Sequence, residues 1–580
     1  MTHSDLISQA QHWLKEDPDP TTQAELQSLL DENATEELAE RFGTRLEFGT
    51  AGLRGVIGAG PNRMNRALVR QVSRGLADYL LETLPDTKTR GVVVGYDGRR
   101  LSPEFAEDTA AVLNAAGIPV HVFSREVSTP LVAYGVTELE AAAGVMVTAS
   151  HNPPEYNGYK VYWDNGAQII PPHDKGISRA IDAVESISSV PLMESEKARE
   201  GGLLQTIAES LEQKYVDQVI SLQRHPETSR DLTFVYTPLH GVGKEWVAKV
   251  FEQAGFKGLH VVSEQAEPDG EFPTVRFPNP EEPGALDLAL DLAAKVDADA
   301  ILANDPDADR LAVALKQPEG SYRVLTGNEI GTLLGHYLLQ HSQTSNPLVS
   351  TTIVSSRLLQ AMAKAKGAAY EETLTGFKWI ANRAIERKSE GLDFIFGFEE
   401  ALGYTVSELV RDKDGVGAAL VFADLMAFCK HSQKTALEYL AEIYAEFGVY
   451  LSAQKSLTLP GSSGLAKIQN MMAQLRENPP VTVGEAKVVS IADLQSGEEK
   501  NIGSGEISKL SFPPSNVLRF RLDEGSQILA RPSGTEPKIK FYVEVREDVE
   551  GNLDKARGRA KSRMDSLLES FSKFAESLAD

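Results

Sequence analysis

The sequence has little of several features that mark whole classes of protein. It contains a single cysteine, Cys429, which excludes an intramolecular disulfide framework and is expected to be a small buried apolar side chain. No apolar stretch approaches the roughly 18 residues that a membrane-spanning helix requires. The first residues, Met-Thr-His-Ser-Asp-Leu, do not resemble a signal peptide. We therefore expect a cytoplasmic protein with no membrane partner.

Positive charge is also scarce. The 580 residues include 58 Lys and Arg against 83 Asp and Glu, which gives a formal net charge of -25. This balance argues against a nucleic-acid partner, so any anionic ligand must be held by local cations. The sequence also lacks a P-loop, a Gly-x-Gly-x-x-Gly, a His-Glu-x-x-His and a Gly-x-Ser-x-Gly motif. Kinase-type, dinucleotide-binding and hydrolase functions are therefore disfavoured.

The organisation of the chain changes twice along its length. In residues 1–40, apolar residues recur at helical spacing around an Asp-Pro-Asp-Pro interruption, which predicts two helices as an N-terminal extension. Short β-rich runs then alternate with helical ones, as is typical of α/β units with mainly parallel strands. The strands predicted with most support cover residues 91–96, 141–147, 232–236, 298–303 and 394–396.

The last hundred residues have a different pattern. Antiparallel strands are predicted at residues 517–522, 527–530 and 539–545, with a turn at 523–525 and a closing helix over 553–578. This pattern indicates a separate α+β domain. Residues 456–478 contain a Gly-Ser-Ser-Gly cluster and are expected to form the loop that enters it.

Polar clusters follow several of the predicted strands, and the first contains Ser150. Thr-Ala-Ser-His-Asn-Pro occupies residues 148–153, directly after an apolar run, and presents one hydroxyl on a loop. A turn serine that bonds its own backbone is the common alternative. Three further clusters favour Ser150 as a phosphate carrier, because open α/β sheets bind their ligands where strands end. We expect the four clusters to converge on one cleft.

The second cluster is Asn-Asp-Pro-Asp-Ala-Asp-Arg at residues 304–310. Its carboxylates, Asp305, Asp307 and Asp309, stand at alternate positions and can point at one centre, and hard oxygen ligands suit Mg²⁺ or Ca²⁺. The loop does not continue as an EF-hand, because Arg310 stands where that motif requires glycine. A solvated acidic turn is the alternative. Arg310 favours instead a site where phosphate and metal meet.

The remaining clusters supply groups that suit a sugar phosphate. Glu399 and Glu400 lie in Gly-Phe-Glu-Glu-Ala-Leu-Gly-Tyr, and a carboxylate can accept from two vicinal hydroxyls, although a salt bridge plus a solvated glutamate is the alternative. Thr-Gly-Phe-Lys at residues 375–378 adds a cation. Arg-Pro-Ser-Gly-Thr-Glu-Pro-Lys at 531–538, with Lys540, has the composition of an anion cradle, or of an unliganded turn.

Taken together and in this order, the clusters resemble the α-D-phosphohexomutase superfamily, above all its phosphoglucomutase/phosphopentomutase branch. Residues 41–55, 156–160 and 236–241 carry the same likeness. The resemblance implies an α/β fold of four domains around a central cleft. After the extension at 1–40, three related α/β domains with mixed, mainly parallel sheets would cover 41–207, 208–324 and 325–453, and the α+β domain would cover 454–580.

The resemblance also implies roles for individual residues. Ser150 would be the phosphoserine, and a phosphate oxygen on it would complete a Mg²⁺ site formed by Asp305, Asp307 and Asp309. Arg54 and Lys160 would be the adjacent cations, with Lys160 a general acid/base, while His151 would support the loop. Substrate would be held by Arg310, Thr375, Gly376, Lys378, Glu399 and the Ala401 position, and its distal phosphate by Arg531, Ser533, Gly534, Thr535 and Lys540.

One position departs from the family pattern. Where many hexomutases have serine two residues after the sugar-binding glutamate, this chain has Ala401, so one hydroxyl contact is missing. The activity predicted is interconversion of glucose 1-phosphate and glucose 6-phosphate, with glucose 1,6-bisphosphate as intermediate and activator, in a monomer or homodimer. The alternatives are a ribose or deoxyribose phosphate mutase, a glucose 1,6-bisphosphate synthase, a metal-dependent sugar phosphatase and a noncatalytic sugar-phosphate sensor.

Overall fold

The computed structural model describes residues 3–459, 464–533 and 538–578. By contact density the chain divides into two compact units. Unit 1 comprises residues 1–326, 377–386 and 402–432, and unit 2 comprises residues 327–376, 387–401 and 433–580. In the described residues, no helix is both long enough and apolar enough to cross a membrane.

The N-terminal extension contains three helices, whereas the sequence predicted two. They are α1 (His3–Glu16), α2 (Pro20–Asp31) and α3 (Thr35–Phe42). The Asp-Pro-Asp-Pro segment does separate the first two, because the Asp19 side chain caps α2 by accepting from the Thr21 amide and Pro20 begins the helix. The third helix is only eight residues long, too short to show a clear apolar period. The three helices form a small core with Ala59.

The first sheet, in unit 1, carries the Ser150 loop. Its strands lie in the order β1-β5-β4-β2-β3-β6. The predicted strands at 91–96 and 141–147 are confirmed as β2 and β4, which are parallel neighbours buried along nearly their whole length. The elements are β1 (Leu53–Val56), α4 (Arg66–Thr83), α5 (Thr87–Arg90), β2 (Val92–Tyr96), α6 (Ser102–Ala115), β3 (Val120–Val122), α7 (Thr129–Glu138), β4 (Ala143–Val147), β5 (Tyr156–Trp163), α8 (His173–Asp182), α9 (Ser195–Glu200) and β6 (Leu204–Thr206).

The second sheet, also in unit 1, carries the aspartate loop. Its order is β11-β10-β9-β7-β8, and the predicted strands at 232–236 and 298–303 are confirmed as the parallel neighbours β7 and β9. The elements are α10 (Glu209–Ile220), β7 (Thr233–Thr237), α11 (Gly243–Gln253), β8 (Gly258–Val261), a 3₁₀ turn (Ser263–Gln265), α12 (Asp287–Val296), β9 (Ala300–Ala303), β10 (Ala312–Lys316) and β11 (Tyr322–Val324).

The third sheet repeats the strand order of the first two. In unit 2, β12 lies between β13 and β14 and is parallel to both, just as β2 lies between β3 and β4, and β7 between β8 and β9. The predicted three-residue strand at 394–396 is the centre of a longer one, β14. In chain order, the elements between residues 327 and 447 are α13 (Gly327–Gln340), β12 (Pro347–Thr352), α14 (Leu358–Lys366), β13 (Ala369–Thr373), α15 (Phe377–Lys388), β14 (Asp393–Glu399), β15 (Gly403–Thr405), α16 (Gly415–His431) and α17 (Ala436–Phe447), of which β15, α16 and most of α15 belong to unit 1.

The C-terminal sheet of unit 2 is antiparallel, as predicted, and α19 packs on one of its faces through Phe571, whose ring meets those of Phe520 and Phe541. The order is β16-β23-β22-β21-β18-β19-β20, with β17 paired to β18. The elements are β16 (Val449–Thr458), α18 (Gly464–Glu477), β17 (Thr482–Val483), β18 (Ala486–Asp493), β19 (Glu498–Asn501), β20 (Ile507–Lys509), β21 (Leu518–Leu522), β22 (Gln527–Pro532), β23 (Lys538–Glu547) and α19 (Leu553–Ser577).

Most of residues 456–478 do not form the entry loop that the sequence predicted. Residues 456–458 end β16, which pairs with β23 over ten residues, and α18 fills residues 464–477. The helix buries Ile468, Met471, Met472 and Leu475. The Gly-Ser-Ser-Gly cluster suggested a loop, but only its last glycine lies within the described residues, where it begins α18.

Candidate active site

Ser150 lies on the loop that joins β4 to its antiparallel neighbour β5. The residue is buried, and its φ of 52° places it in the left-handed region that few non-glycine residues adopt. Its Oγ donates to Oδ2 of Asp305 at 2.9 Å, and Nδ1 of His151 lies 3.2 Å from the same Oγ. The side chain of Ser150 is therefore directed at the aspartate loop, so the alternative of a turn serine that bonds only its own backbone is excluded.

His151 is held as a neutral ring. Burial lowers its pKa well below the usual range for histidine, and the positive charges of Arg310 and Arg54 lower it further. A neutral imidazole can accept from or donate to the serine hydroxyl through Nδ1. This geometry fits the predicted role of His151 as a support of the Ser150 loop.

The aspartate loop joins β9 to the antiparallel strand β10, in the same position in its sheet as the Ser150 loop has in the first. The side chains of Asp305, Asp307 and Asp309 are completely buried, and each offers an oxygen within 4.8 Å of the other two. A solvated acidic turn is therefore excluded. Ala308, with a φ of 57°, turns the loop so that alternate carboxylates face one centre.

Two lysines approach these carboxylates, and the sequence predicted only one of them. Nζ of Lys160 lies 2.7 Å from Oδ2 of Asp307 and 3.2 Å from Oδ2 of Asp309, and Nζ of Lys413 lies 2.9 Å from Oδ2 of Asp309. Burial opposes ionisation of both Lys160 and Asp307. The ion pair between them nevertheless raises the pKa of Lys160 and lowers the pKa of Asp307.

Lys413 was missed because its motif, Arg-Asp-Lys-Asp-Gly at 411–415, has the composition of an ordinary charged turn. The available signal was its position before α16, a helix that is buried on nearly every side. A charged run immediately before such a helix cannot lie far from the protein interior.

The carboxylate cluster fits a divalent cation. Within the part of the chain that the structure describes, Oδ1 of Asp307 and Oδ1 of Asp309 are buried without a hydrogen-bond donor. Burial, followed by the like charges of Asp307 and Asp309, raises the pKa of Asp305 well above its usual range. Buried, unpaired carboxylate oxygens are costly unless a cation neutralises them, and an all-oxygen set suits Mg²⁺.

The other cations predicted in unit 1 contact different partners, and Arg310 is the one among them with a contact to Asp305 in the described residues. The backbone amide of Arg310 donates to Oδ1 of Asp305 at 3.0 Å, and its Nε lies 3.7 Å from Oδ2 of the same residue. Arg54 is exposed and donates from Nη1 to Oδ1 of Asn152 in the Ser150 loop at 3.0 Å. Lys378 donates from Nζ to the hydroxyl of Thr50.

In unit 2, the predicted sugar-binding segments contact each other. Glu399, the last residue of β14, accepts from the backbone amide of Gly376 at 2.7 Å. Glu400 accepts from Oγ of Ser355 at 2.9 Å. Thr375 precedes Gly376, and its Oγ1 is buried with no partner in the described chain. Ala401 is partly exposed next to Glu400.

The described residues of the predicted phosphate cradle belong to two paired strands or adjoin them. Arg531 belongs to β22 and stands opposite Lys540 of β23, and the Ser533 amide donates to the Lys538 carbonyl at 2.7 Å. Gly534 and Thr535 lie outside the described residues. Arg531 and Lys540 are therefore cross-strand neighbours, in agreement with the antiparallel strands predicted at 527–530 and 539–545.

Four sequence profiles match the chain in succession. They are those of phosphoglucomutase/phosphomannomutase alpha/beta/alpha domain I at residues 45–188, domain II at 213–320, domain III at 326–447 and the C-terminal domain at 480–554. A solved phosphoglucomutase/phosphomannomutase family protein from Burkholderia thailandensis has the same fold, with a TM-score of 0.66, 20% identity and coverage of 91% of this chain and 97% of the other.

Curated relatives match over most of both chains. The chain is 39% identical to the phosphopentomutase of Mus musculus, covering 93% of this chain and 90% of the relative, and 40% identical to a probable phosphoribomutase of Schizosaccharomyces pombe, covering 92% of each. It is 43% identical to a probable phosphomannomutase of Haemophilus influenzae, covering 83% of this chain and 93% of the relative. The chain therefore belongs to the phosphoglucomutase/phosphomannomutase family and is a phosphosugar mutase, an enzyme of the isomerase class.

Proposed function

We propose that the enzyme interconverts the 1-phosphate and the 5-phosphate of ribose or deoxyribose. The sequence pointed first to glucose phosphates, but the names of two similar relatives refer to pentose phosphates, and Ala401 supports the change. A serine hydroxyl at that position would contact a sugar hydroxyl, and a pentose phosphate has fewer hydroxyls to leave without a partner than a glucose phosphate has. Glucose 1-phosphate is the second candidate substrate.

Ser150 is the phosphate carrier in this proposal. The bond between phosphorus and Ser150 Oγ breaks as a free sugar hydroxyl forms a new bond to phosphorus, and the proton that the hydroxyl loses is replaced by one delivered to Ser150 Oγ. The resulting sugar bisphosphate returns its other phosphate to Ser150. The hydroxyl of Ser150 lies 2.9 Å from Asp305, and this contact between two loops is the observation that carries the assignment of the site.

The residues around Ser150 suit phosphoryl transfer. Asp305, Asp307 and Asp309 would hold Mg²⁺, which when bound neutralises negative charge on the transferring phosphoryl group. Lys160 and Lys413 lie within 3.3 Å of these carboxylates and add positive charge in a buried setting. Lys160 is also the proposed general acid/base, since its ammonium can give a proton to Ser150 Oγ as the phosphorus–oxygen bond breaks and recover one from the sugar hydroxyl.

The groups of unit 2 suit the binding of sugar hydroxyls and of a phosphate. Glu399 would accept from sugar hydroxyls through the oxygens that its bond to Gly376 orients. Arg531 and Lys540 would bind the distal phosphate together with Ser533, Gly534 and Thr535. The chemistry requires that either phosphate of the bisphosphate can occupy this position in turn.

The experiment is a phosphorus NMR assay of the purified enzyme with Mg²⁺ and trace glucose 1,6-bisphosphate. Ribose, deoxyribose, glucose and mannose 1-phosphates are supplied one at a time, and kcat/KM is compared. We expect kcat/KM to be about tenfold or more higher for the pentose 1-phosphates than for glucose 1-phosphate. A higher value for glucose 1-phosphate would overturn the proposal. Net accumulation of glucose 1,6-bisphosphate as the main reaction, when a separate phosphate donor is added, would also overturn it and would identify a bisphosphate synthase.

A further inference from the structure

Arg99 lies beneath the Ser150 loop and holds its main chain. The residue follows β2 and is almost completely buried. Its Nη2 donates to the carbonyl oxygen of Ser150 at 2.7 Å and to that of Asn152, and its Nη1 donates to the carbonyls of Pro153 at 2.9 Å and Tyr156 at 3.1 Å. One guanidinium therefore fixes four carbonyl groups across the whole turn between β4 and β5.

Asp97 fixes the other side of the same turn. Its Oδ2 accepts from Oγ1 of Thr148 at 2.6 Å. Oγ1 of Thr148 in turn accepts from the backbone amide of Ser150 at 2.8 Å. Its Oδ1 accepts from the Arg99 amide at 3.1 Å and from Oγ of Ser102 at 2.9 Å. The amide of Ser150 is thus tied to Asp97 through Thr148, and its carbonyl is tied directly to Arg99.

These contacts explain how Ser150 keeps an unfavourable backbone conformation. A φ of 52° is strained for serine and persists only where surrounding contacts determine it from both sides. In this conformation Oγ reaches Asp305. If the turn relaxed to the ordinary right-handed region, the Cα–Cβ bond would point elsewhere and Oγ would leave the carboxylates.

Arg99 is itself held in place from below. Its guanidinium lies 4.9 Å from the ring centroid of Phe272, a cation–π contact. The backbone at Gly270 approaches the backbone at Arg100 closely, because a Cβ added to Gly270 would lie 2.8 Å from the Arg100 amide nitrogen. The arginine is therefore enclosed between the Ser150 loop and the segment around Phe272, and it has little freedom to move.

We infer that Arg99 and Asp97 are positioning residues for phosphoryl transfer. Neither contacts the carboxylate cluster through a hydrogen bond in the described chain, and both act through the main chain of Ser150. The inference rests on the proposed role of Ser150 as the phosphate carrier. It requires that loss of Arg99 slows the loading of Ser150 with phosphate and lowers kcat, while KM for the sugar phosphate changes little.

The identity of the cation matters for this role. The planar guanidinium presents donors in two directions at once, whereas a lysine ammonium concentrates its donors at one point. Lysine at position 99 can reach the Ser150 carbonyl or the Pro153 carbonyl but cannot span both ends of the turn. Arg99→Lys should therefore retain activity between that of the wild type and that of Arg99→Met.

The test compares Arg99→Met and Arg99→Lys with Arg70→Met as a matched control. Arg70 also forms an ion pair with a buried aspartate of unit 1, with Nη2 2.8 Å from Oδ1 of Asp108, but it lies on α4 away from the turn. Each protein is incubated with glucose 1,6-bisphosphate, and the rate of Ser150 phosphorylation is followed by mass spectrometry. Steady-state kcat, KM and the thermal midpoint are measured in parallel.

For Arg99→Met we expect kcat and the phosphorylation rate to fall about 100-fold, as a small misplacement of a reacting group can cause, with KM within about threefold of wild type. Arg70→Met should keep nearly wild-type kcat despite a similar fall in thermal midpoint. The inference would be overturned if Arg99→Met and Arg70→Met had the same thermal midpoint and the same rate of Ser150 phosphorylation. A wild-type enzyme that acquires no phosphate at Ser150 would instead overturn the proposed function, and the inference with it.

Thr148→Val provides a second variant that keeps the volume of the side chain. It removes the link from the Ser150 amide to Asp97 without removing a buried charge, so it is expected to fold. We expect a fall in kcat and in phosphorylation rate of about tenfold, the effect of one lost hydrogen bond, at unchanged KM. Wild-type kcat in a folded Thr148→Val protein would contradict the positioning role.

Discussion

At the scale of single residues, the three carboxylates and two lysines of the site form one buried, coupled group of charges. Asp309 is shared by Lys160 and Lys413, at 3.2 and 2.9 Å, so neither lysine can be lost without leaving a buried negative charge short of a partner. Arg310 contributes from a greater distance, with Nε 3.7 Å from Asp305. The site therefore depends on cations supplied by three different parts of the chain.

Replacement of Lys413 tests the residue that the sequence did not reveal. We expect Lys413→Met to lower kcat about 100-fold, because phosphoryl transfer loses a buried positive charge next to the carboxylates. Lys430→Met is the control, since Lys430 also lies in unit 1 but is exposed. If steady-state assays give both variants the same kcat, Lys413 has no part in the site.

The metal assignment can be tested without measuring activity. Asp307 offers Oδ1 as a buried oxygen without a donor in the described chain, while its Oδ2 bonds to Thr129 and Lys160. Asp307→Asn should reduce the rise in thermal midpoint that Mg²⁺ produces in the wild type by at least about half. Asp291→Asn, at an exposed position on α12, should show the full rise. An undiminished Mg²⁺ effect in Asp307→Asn would place the ion elsewhere.

Ala401 is the residue on which substrate preference is proposed to depend. Ala401→Ser restores the hydroxyl that many hexomutases have next to this glutamate pair. One added hydrogen bond to a sugar hydroxyl is worth roughly 1 kcal/mol, so the ratio of kcat/KM for glucose 1-phosphate to that for ribose 1-phosphate should rise about fivefold. An unchanged ratio would mean that the side chain at 401 does not contact the sugar.

At the scale of elements, the packing of α13 against α17 makes the stability of unit 2 sensitive to pH. His336 of α13 is buried, and its Nδ1 lies 2.6 Å from the hydroxyl of Tyr439 on α17. Burial, followed by the nearby charges of Lys366, His341 and Lys434, lowers the pKa of His336 to about 4. The native state therefore keeps this ring neutral through the range where an exposed histidine ionises.

The sign of the effect follows from proton binding. Between the unfolded pKa of 6.5 and the folded pKa of about 4, the unfolded chain binds more protons at this residue than the native state does, so stability falls as the pH falls. The loss from this residue is about 2 kcal/mol at pH 5 and is complete below pH 4. His336→Gln should reduce the drop in thermal midpoint between pH 7.5 and pH 5. An equal drop in both proteins would show that His336 does not titrate in this way.

The elements that sequence patterns predicted best are the buried parallel strands and the C-terminal helix. Strands such as β2 and β4 are continuous apolar runs bounded by polar residues, and α19 has both a long amphipathic period and a capping Asn552. The short helix α3 and the helix α18 were missed for opposite reasons. The first is too short to show a period, and the second begins at a glycine that suggested a loop.

The site was predictable to the extent that its residues lie in compact motifs. Ser150 and the three aspartates each follow a strand within a few residues, so a sequence pattern can identify them. Arg99, Asp97 and Lys413 act through contacts with loops far along the chain, and their local sequences resemble ordinary turns. Only the tertiary structure shows that Asp97 and Arg99 fix the Ser150 turn and that Lys413 reaches Asp309.

At the scale of the whole molecule, the fold repeats one strand order in three sheets. In the first two sheets the loop that leads from the end parallel strand to its antiparallel neighbour carries a functional cluster, with Ser150 in one case and the aspartates in the other. In the third sheet the end parallel strand β14 finishes at Glu399. The repeat explains why three of the four clusters in the sequence follow a strand at equivalent positions.

The net negative charge of the molecule explains why local cations are needed to bind an anionic substrate. With a net charge of -25, the enzyme repels anionic sugar phosphates except where cations are concentrated. The cations proposed to bind phosphate groups are Lys160, Lys413 and Arg310 in unit 1 and Arg531 and Lys540 in unit 2.

The role of Ser150 as the phosphate carrier is tested by whether the residue becomes phosphorylated. The wild-type enzyme is incubated with glucose 1,6-bisphosphate, digested and examined by mass spectrometry, and the kcat of Ser150→Ala is measured on the preferred substrate. We predict one phosphate on the peptide that contains Ser150 and a loss of kcat on the order of 10⁴-fold or more in the variant. An unmodified Ser150 peptide together with full activity of Ser150→Ala would contradict the account.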